Sequence, residues 1–330
     1  ALSPSARLTS GQLYACKLIV DGAWILDPNE THRKYIDACL NSALLMPACD
    51  AGPEILASEL TTRWSDRSAA TRITLLTAAD GSAPTTIVLS LDGAPLADGA
   101  ATLDASAGAF DIALSGLAAG RHILRVRVRD ASGRDAEPVD LPFWIEERPF
   151  EWRDALMYMM VVDRFANGDR AIDRPVGAPV EYPADFHGGD LTGALEVMRS
   201  GYFDDLGINV IWLSPINQQA DGDFEGRDGP QRFTGYHGYW PSRGRVVEPR
   251  FGGNDALRAF VEEAHSRGIR VLFDLINNQI HEQHEYYATH PEWFRTGCVC
   301  GTDPGCGWSE RPLDCLFAPY LPDIDWRVPG

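Results

Sequence analysis

The stretch GGNDALRAFVEEAHSRGIRVLFDLINNQIHEQHEYY, residues 252–287, leaves this chain little choice of architecture. Leu257, Phe260, Val261 and Ala264 recur at i, i+3, i+4 and i+7, which places them on one face of a helix. Asn254 is positioned to cap that helix, Asp255 adds negative charge to its first turn, and Gly268 stops it. Residues 269–273 are then mostly apolar and end abruptly at Asp274. Helix, tight stop and short apolar run form one unit of a βα repeat and predict a parallel strand buried on both faces. In such folds the chemistry gathers just past the C-terminal ends of the strands. Here that place holds Asp274, Asn277, Asn278, Gln279, His281, Glu282 and His284.

The chain has 330 residues, room for two or three domains. Its net charge of -18 argues against nucleic acid and anionic membrane surfaces as partners, and suits a neutral ligand or a bound cation. No run is long and apolar enough to span a bilayer. No signal peptide is visible and the first residue is not Met, so the opening reads as the middle of something longer.

The seven cysteines are grouped. Cys16, Cys39 and Cys49 lie near the start, while Cys298, Cys300, Cys306 and Cys315 share one Gly-rich loop. Four cysteines so placed make two disulfides or one zinc site. The spacing CxC-x5-C-x8-C is not a common zinc-ribbon pattern, which favours disulfides. Disulfides imply an oxidising compartment, and hence a secreted, cell-surface or periplasmic protein. His281 and His284 also invite a zinc reading, but their spacing is not His-Glu-x-x-His, and loop histidines explain them better.

Along the chain, residues 1–50 carry partial alternation around Asp21-Gly22, a hairpin signal that reads as the last strands of a β-sandwich. Residues 51–147 are short alternating runs split by Gly, Asp and Ala turns, the pattern of an immunoglobulin-like β-sandwich with a structural role. From Asp154 the pattern becomes β then α. A buried strand ends in Asp163-Arg164-Phe165, a helix carries Leu195 and Met198 and ends near Gly207, and a second strand follows in INVIWLSPI. The loop FANGDRAID brings together Asn167, Asp169 and Asp173, and the turn HGGD adds Gly188 and Asp190. Hard oxygen ligands at short spacing, with glycines allowing sharp turns, suit Ca2+; an Asx-turn loop with a capping Asp is the alternative.

Four stretches together resemble the α-amylase family, glycoside hydrolase family 13: YMMVVDRFANGD, FHGGDLTGALE, GINVIWLSPI with GYHGYWPSR after it, and FDLINNQIHEQH. Their order and spacing are the family's, and the resemblance covers residues 154–330. It implies a multidomain chain: β-sandwich modules, then the first part of an α/β (β/α)8 TIM barrel at 148–330, with the excursion called domain B at about 285–330. Residues 1–50 resemble the end of a carbohydrate-binding module of family 48, in which Trp24 either stacks on a sugar or packs in the core.

The resemblance implies a retaining glycosidase acting on α-1,4-glucans such as starch, glycogen, maltooligosaccharides or cyclodextrins. That chemistry needs a carboxylate nucleophile and a carboxylic acid/base. The family carries them on strands four and five, with a third Asp on strand seven; the strand-four motif does not occur before Gly330, so these groups are expected beyond it and none is assigned here. By resemblance Tyr239 is a stacking platform for the reacting sugar, His237 a hydrogen-bond donor to its hydroxyls, and Asp274 a residue that orders the barrel top. Asn278 matches a calcium ligand between the barrel and domain B. A two-loop calcium site from Asn167, Asp169, Asp173, Gly188 and Asp190 matches cyclodextrin-acting members, although Ile172 stands where those usually have Asn. Gln279 departs from the pattern: it occupies the place of a substrate-binding His and cannot carry charge. That departure keeps a second reading open, a non-catalytic α-glucan-binding or accessory protein with a degenerate barrel. Cyclodextrinases, branching enzymes and trehalose synthases share the same four stretches.

Overall fold

The structure, a computed structural model, describes residues 13–27, 33–36, 39–45, 52–58, 60–96, 100–104, 108–226, 229–302, 304–311 and 313–326. It divides into two compact units, Ala1–Phe150 and Glu151–Val328.

The first unit is all β. Strand β1 (Leu13–Cys16) pairs with β5 (Cys39–Leu45), which also pairs with β4 (Arg33–Ile36). Between them β2 (Leu18–Val20) and β3 (Ala23–Ile25) form the expected hairpin. Asp21 and Gly22 turn it with φ of 51° and 81°, the left-handed pair that matches strand twist. Trp24 is 67% exposed on that hairpin, which removes it from any core among the described residues. Cys49 and the segments 28–32 and 46–51 lie outside the described residues.

Residues 54–145 form two antiparallel sheets. One runs β11 (Ala101–Asp104), β12 (Ala109–Leu114), β8 (Ser68–Leu76), β6 (Glu54–Ala57), with β7 (Thr61–Arg63) also on β8. The other runs β10 (Ala94–Pro95), β9 (Pro84–Leu91), β13 (Gly120–Asp130), β14 (Val139–Ile145). Their inner faces share one core, Ile73, Phe110 and Ile112 against Leu124, Val126, Val128, Phe143 and Ile145. β13 shows why: Leu124, Val126 and Val128 point inward, while Arg125, Arg127 and Arg129 alternate outward. Arg125 holds Asp140 on the neighbouring strand through two hydrogen bonds of 2.6 Å.

The second unit is built on a parallel sheet, β15 (Met157–Met160), β16 (Val210–Leu213), β21 (Arg270–Phe273), in which Met159, Trp212 and Leu272 are register neighbours. After β15 come α1 (Val162–Phe165), α2 (Leu191–Arg199) and α3 (Tyr202–Asp205). β16 leads to β17 (Asn217–Gln219), the hairpin β18 (Phe224–Glu225) and β19 (Arg232–Phe233), then β20 (Pro241–Val247), which pairs with β17. Helix α4 (Gly253–Ser266) precedes β21. Beyond it lie α5 (Glu285–Thr289) and the pair β22 (Phe294–Arg295) and β23 (Asp323–Ile324). The core joins Met160, Ile211 and Leu213 of the sheet to Leu191, Ala194 and Met198 of α2 and Phe260 and Ala264 of α4.

Three expectations are corrected here. The parallel strands are not buried on both faces: Met157, Met159 and Trp212 are 40%, 44% and 37% exposed, while α2 and α4 pack on the face that carries Met160, Ile211 and Leu213. The helix expected to run to Gly207 is two helices, broken at Gly201, whose φ is 88°. Asn254 is not the cap of α4. That position belongs to Gly252, and the Asn254 side chain accepts from the Val247 amide at 3.2 Å, tying the helix start to β20.

Candidate functional site

The C-terminal ends of β15, β16 and β21 carry Asp163-Arg164, the segment leading to Tyr236–Trp240, and Asp274. The structure brings Tyr239 and Asp274 into contact: the Tyr239 hydroxyl donates to Asp274 Oδ2 at 2.7 Å. The Tyr239 ring is 38% exposed, so a face remains open while its far end is pinned. Burial pushes the phenol up to about 12, and the Asp274 carboxylate pushes it the same way.

His237 lies beside that ring, stacked at 5.8 Å, with Trp240 edge-on at 4.9 Å. Its Nδ1 accepts the Tyr239 amide at 3.0 Å. A neutral imidazole that accepts at Nδ1 carries its proton at Nε2, so this turn fixes the donor nitrogen. Burial, with the Arg164 charge behind it, lowers the imidazole to about 4 and keeps it uncharged near neutrality. Gly238 permits the tight turn between the two rings: its φ is 93°, and a Cβ there would lie 2.3 Å from the Pro215 carbonyl oxygen.

Gln279 does not present its amide to the surface. Buried to 8% exposure, it donates from Nε2 to the Tyr239 carbonyl at 3.3 Å and accepts the Asn278 amide at Oε1 at 3.2 Å. Asn278 Nδ2 also reaches Asp323 Oδ1 at 3.1 Å, and Arg295 lies 3.4 Å from Asp323 Oδ2. Burial raises the Asp323 carboxyl to about 6, against the pull of Arg295.

The two oxygen-rich loops split into two groups. Asn167, Asp173 and Gly188 converge: Asn167 Nδ2 lies 3.0 and 2.9 Å from the two Asp173 oxygens, and a Cβ on Gly188 would strike both side chains, at 2.4 and 2.5 Å. Asp190 is fully buried and accepts three amides, Gly193 at 2.7 Å, Gly168 at 2.9 Å and Asp169 at 2.8 Å, so it caps α2 and ties the first loop to it. Asp169 caps its own turn through the Ala171 amide at 3.0 Å. Among the described residues no cluster of three or more His, Cys, Asp or Glu is arranged to hold a metal ion. A cavity of about 330 Å3 lies beside the first loop, lined by Ile172, Arg174, Gln218, Asp221, Glu248 and Arg250 among others.

Sequence reasoning passed over Asp163 and Arg164, although their place at the end of the first strand matches that of Asp274. Arg164 ion-pairs with Asp163, donates to the carbonyls of Pro183 (3.0 Å) and Asp185 (2.9 Å), and lies 3.8 Å over the Tyr236 ring. The buried Asp163 accepts the His187 amide at 3.0 Å. The pair therefore braces the loop behind His237. His281 joins an aromatic cluster, edge-on to Phe224 at 4.3 Å, with its Nε2 buried and without a hydrogen-bond partner among the described residues. The four clustered cysteines form two disulfides, Cys298–Cys306 and Cys300–Cys315, as favoured over zinc, and Cys16 is a free thiol.

A family model described as "Alpha amylase, catalytic domain" matches residues 159–294. The periplasmic alpha-amylase of Escherichia coli is 37% identical over 145 residues, 43% of this chain and 20% of that protein. A cyclomaltodextrin glucanotransferase of a Bacillus species is 31% identical over 148 residues, 44% of this chain and 20% of that protein. Among solved structures, an Anoxybacillus alpha-amylase is 30% identical with a TM-score of 0.43, covering 54% of this chain and 35% of that one. The chain thus spans about a fifth of the length of the curated relatives it matches. The matched segment, which contains His237, Tyr239 and Asp274, is similar to the alpha-amylase catalytic domain.

Proposed function

We propose that this chain carries the sugar-gripping part of an α-amylase-type glycoside hydrolase acting on α-1,4-glucans. The observation that supports this best is the Tyr239–Asp274 pair with His237 beside it: an aromatic face held rigid by its hydroxyl, next to an imidazole whose Nε2 is the donor. Aromatic faces pack on the apolar C–H faces of sugars, and a neutral N–H donor grips hydroxyls without needing a charged ligand. In this reading the sandwich of residues 51–147 is an immunoglobulin-like spacer, residues 1–50 are the end of a family-48-like module, and residues 148–330 belong to a (β/α)8 barrel with its domain B. The uncovered face carried by Met157, Met159 and Trp212 is where further strands of such a barrel would pack.

The reaction proposed is retaining hydrolysis by two carboxyl groups. Asp274 is engaged by Tyr239, Asp163 is buried against backbone amides, and neither is assigned as nucleophile or acid. The reading places those groups on other strands of the barrel. Calcium would be held at the meeting point of Asn167, Asp173 and Gly188, where the Asp173 carboxylate and the Asn167 side-chain amide crowd a position that admits no side chain. Bound there it would cross-link the two loops. Asp169 and Asp190 serve that cradle by holding its backbone. The paired cysteines, and a relative that is a periplasmic enzyme, support an oxidising, extracytoplasmic location.

Isothermal titration with maltoheptaose tests the reading. Tyr239→Ala should weaken binding by about tenfold or more, the loss of a stacking platform. Unchanged binding in that variant would remove the platform from the argument. The inward-turned Gln279 favours the second reading, sugar binding without cleavage, and a starch assay on protein that binds maltoheptaose separates the two.

A further inference from the structure

The lining of a second cavity, of about 490 Å3, includes neither Tyr239 nor Asp274. Its lining comes from the β18–β19 hairpin with Phe224, Glu225 and Arg232, from Val299 and Thr302 of the double-disulfide loop, and from Ala318 and Tyr320. Its volume falls in the range of about 300–1,000 Å3 typical of small-ligand sites. We infer that this cavity is a second binding subsite for a neutral, hydroxyl-rich chain, an α-glucan in the reading above, on which the choice of ligand rests.

Three features of the walls point there. The aromatic surface is rigid: Phe224 and Tyr320 meet at 4.9 Å and are backed by Trp240 at 5.6 and 5.3 Å. The Tyr320 hydroxyl donates to the Glu225 carbonyl at 3.1 Å, which locks ring and hairpin together. The part of the lining from the disulfide loop is held too, because Cys298–Cys306 and Cys300–Cys315 bracket Val299 and Thr302. The cavity therefore does not depend on a ligand to hold it open.

Its walls also carry polar groups that a hydroxyl-rich chain can use. The Glu225 carboxylate makes no hydrogen bond or ion pair among the described residues. Arg232 uses Nε on the Asp223 carboxylate and Nη2 on the Asp223 carbonyl, and its Nη1 has no partner among the described residues. With Arg232 neutralised by Asp223, the Glu225 carboxylate is left as an acceptor for hydroxyls, and the guanidinium edge beside it supplies donors. Half-buried aromatic faces flanked by such groups describe a sugar subsite better than a site for an apolar ligand.

The test is hydrogen exchange of the full chain with and without maltoheptaose, together with titration of Glu225→Ala and Thr302→Arg. Both altered residues are exposed, so the folds can be verified by thermal midpoint. The inference expects protection in two regions, residues 224–226 with 316–321 and residues 236–240 with 274–279. It also expects Glu225→Ala and Thr302→Arg to weaken the first by about tenfold while sparing the second, the cost of one hydrogen bond to a charged group. Protection confined to the second region overturns the second subsite and leaves the Tyr239 reading standing. Protection confined to the first sustains the subsite and overturns the Tyr239 platform. Protection in neither overturns both.

Discussion

The Tyr239 hydroxyl and the Asp274 carboxylate, 35 positions apart, meet at 2.7 Å and join the segment after β16 to the end of β21. The bond costs Tyr239 its acidity: burial first, and Asp274 second, raise it from 10.0 to about 12. The stabilisation this brings is fully present below the unfolded value near 10 and is lost as pH climbs through about 12. In Asp274→Asn the phenol should ionise at lower pH, but above its ordinary value, since burial remains. Phenolate absorbance during a pH titration, read against Tyr239→Phe, measures this. An unaltered Tyr239 transition in Asp274→Asn would mean the carboxylate does not act on it.

Acid stability follows from buried groups of two kinds. His237 and His281 are lowered by burial from 6.5 to about 4, so between those values the unfolded chain binds the extra protons and stability rises with pH. Asp323 works in the opposite sense: raised by burial from 3.8 to about 6, it holds its proton in the folded state, and its contribution is lost as pH rises through that window. His284, also lowered by burial, joins the imidazoles, and Asp163, raised by burial, joins the carboxyl, so three imidazoles face two carboxyls. The thermal midpoint should therefore climb from about pH 4.5 to 6.5. Asp323→Asn should steepen the climb and His281→Phe should flatten it. A midpoint that falls over that range would contradict the assignment.

Much of this site was legible because the ends of strands are marked by abrupt changes of residue type. Asp274 stands out because an apolar run stops there, and the Tyr-His-Gly-Tyr-Trp segment because its order against the other stretches is fixed. What was not legible depends on partners distant in sequence. Asn254 looks like a helix cap until Val247 competes for its oxygen. Asp190 looks like a metal ligand until three amides converge on it. The both-faces burial of β21 was inferred from apolar residues alone, and periodicity cannot say whether a second layer is present among the described residues.

The disulfide loop should behave as a local staple. Peptide mapping without reduction should yield the pairs Cys298–Cys306 and Cys300–Cys315. Closing the larger loop, 15 residues in sequence separation, is worth about 3 kcal/mol by chain entropy. Reduction should lower stability by that order and raise exchange in residues 298–316. Recovery of any other pairing would refute the observed connectivity.

Asp190 and Asp173 separate structure from calcium. Asp190→Ala strips a helix cap and leaves three amides unmatched, which should cost about 3 kcal/mol whether or not Ca2+ is present. Asp173→Ala removes only the partner of Asn167, so it should abolish any stabilisation by added Ca2+ while changing chelator-treated protein little. Thermal melts with Ca2+ and with chelator read both. Equal melts for Asp173→Ala and the parent protein under both conditions would remove this cradle as a calcium site.

Gln279 offers the sharpest test of how the platform is held. Its amide meets two demands at once, donating to the Tyr239 carbonyl and accepting from Asn278. Gln279→Leu preserves bulk but leaves a buried carbonyl and an amide unmatched, a cost of about 2 kcal/mol, and it should loosen Tyr239 and weaken maltoheptaose binding. Gln279→His is more informative. A neutral imidazole has one donor and one acceptor and can meet both demands, whereas the protonated ring has two donors and must abandon Asn278. Binding by Gln279→His should therefore fall as pH drops through the new imidazole's titration. The parent protein should bind evenly above about pH 7, because His237 stays neutral there and Asp323, raised to about 6, stays ionised. Calorimetric titration at several pH values compares the two. A flat profile for Gln279→His, with its binding intact, would show that Asn278 does not need the acceptor, and unweakened binding by Gln279→Leu would show that Gln279 has no part in positioning Tyr239.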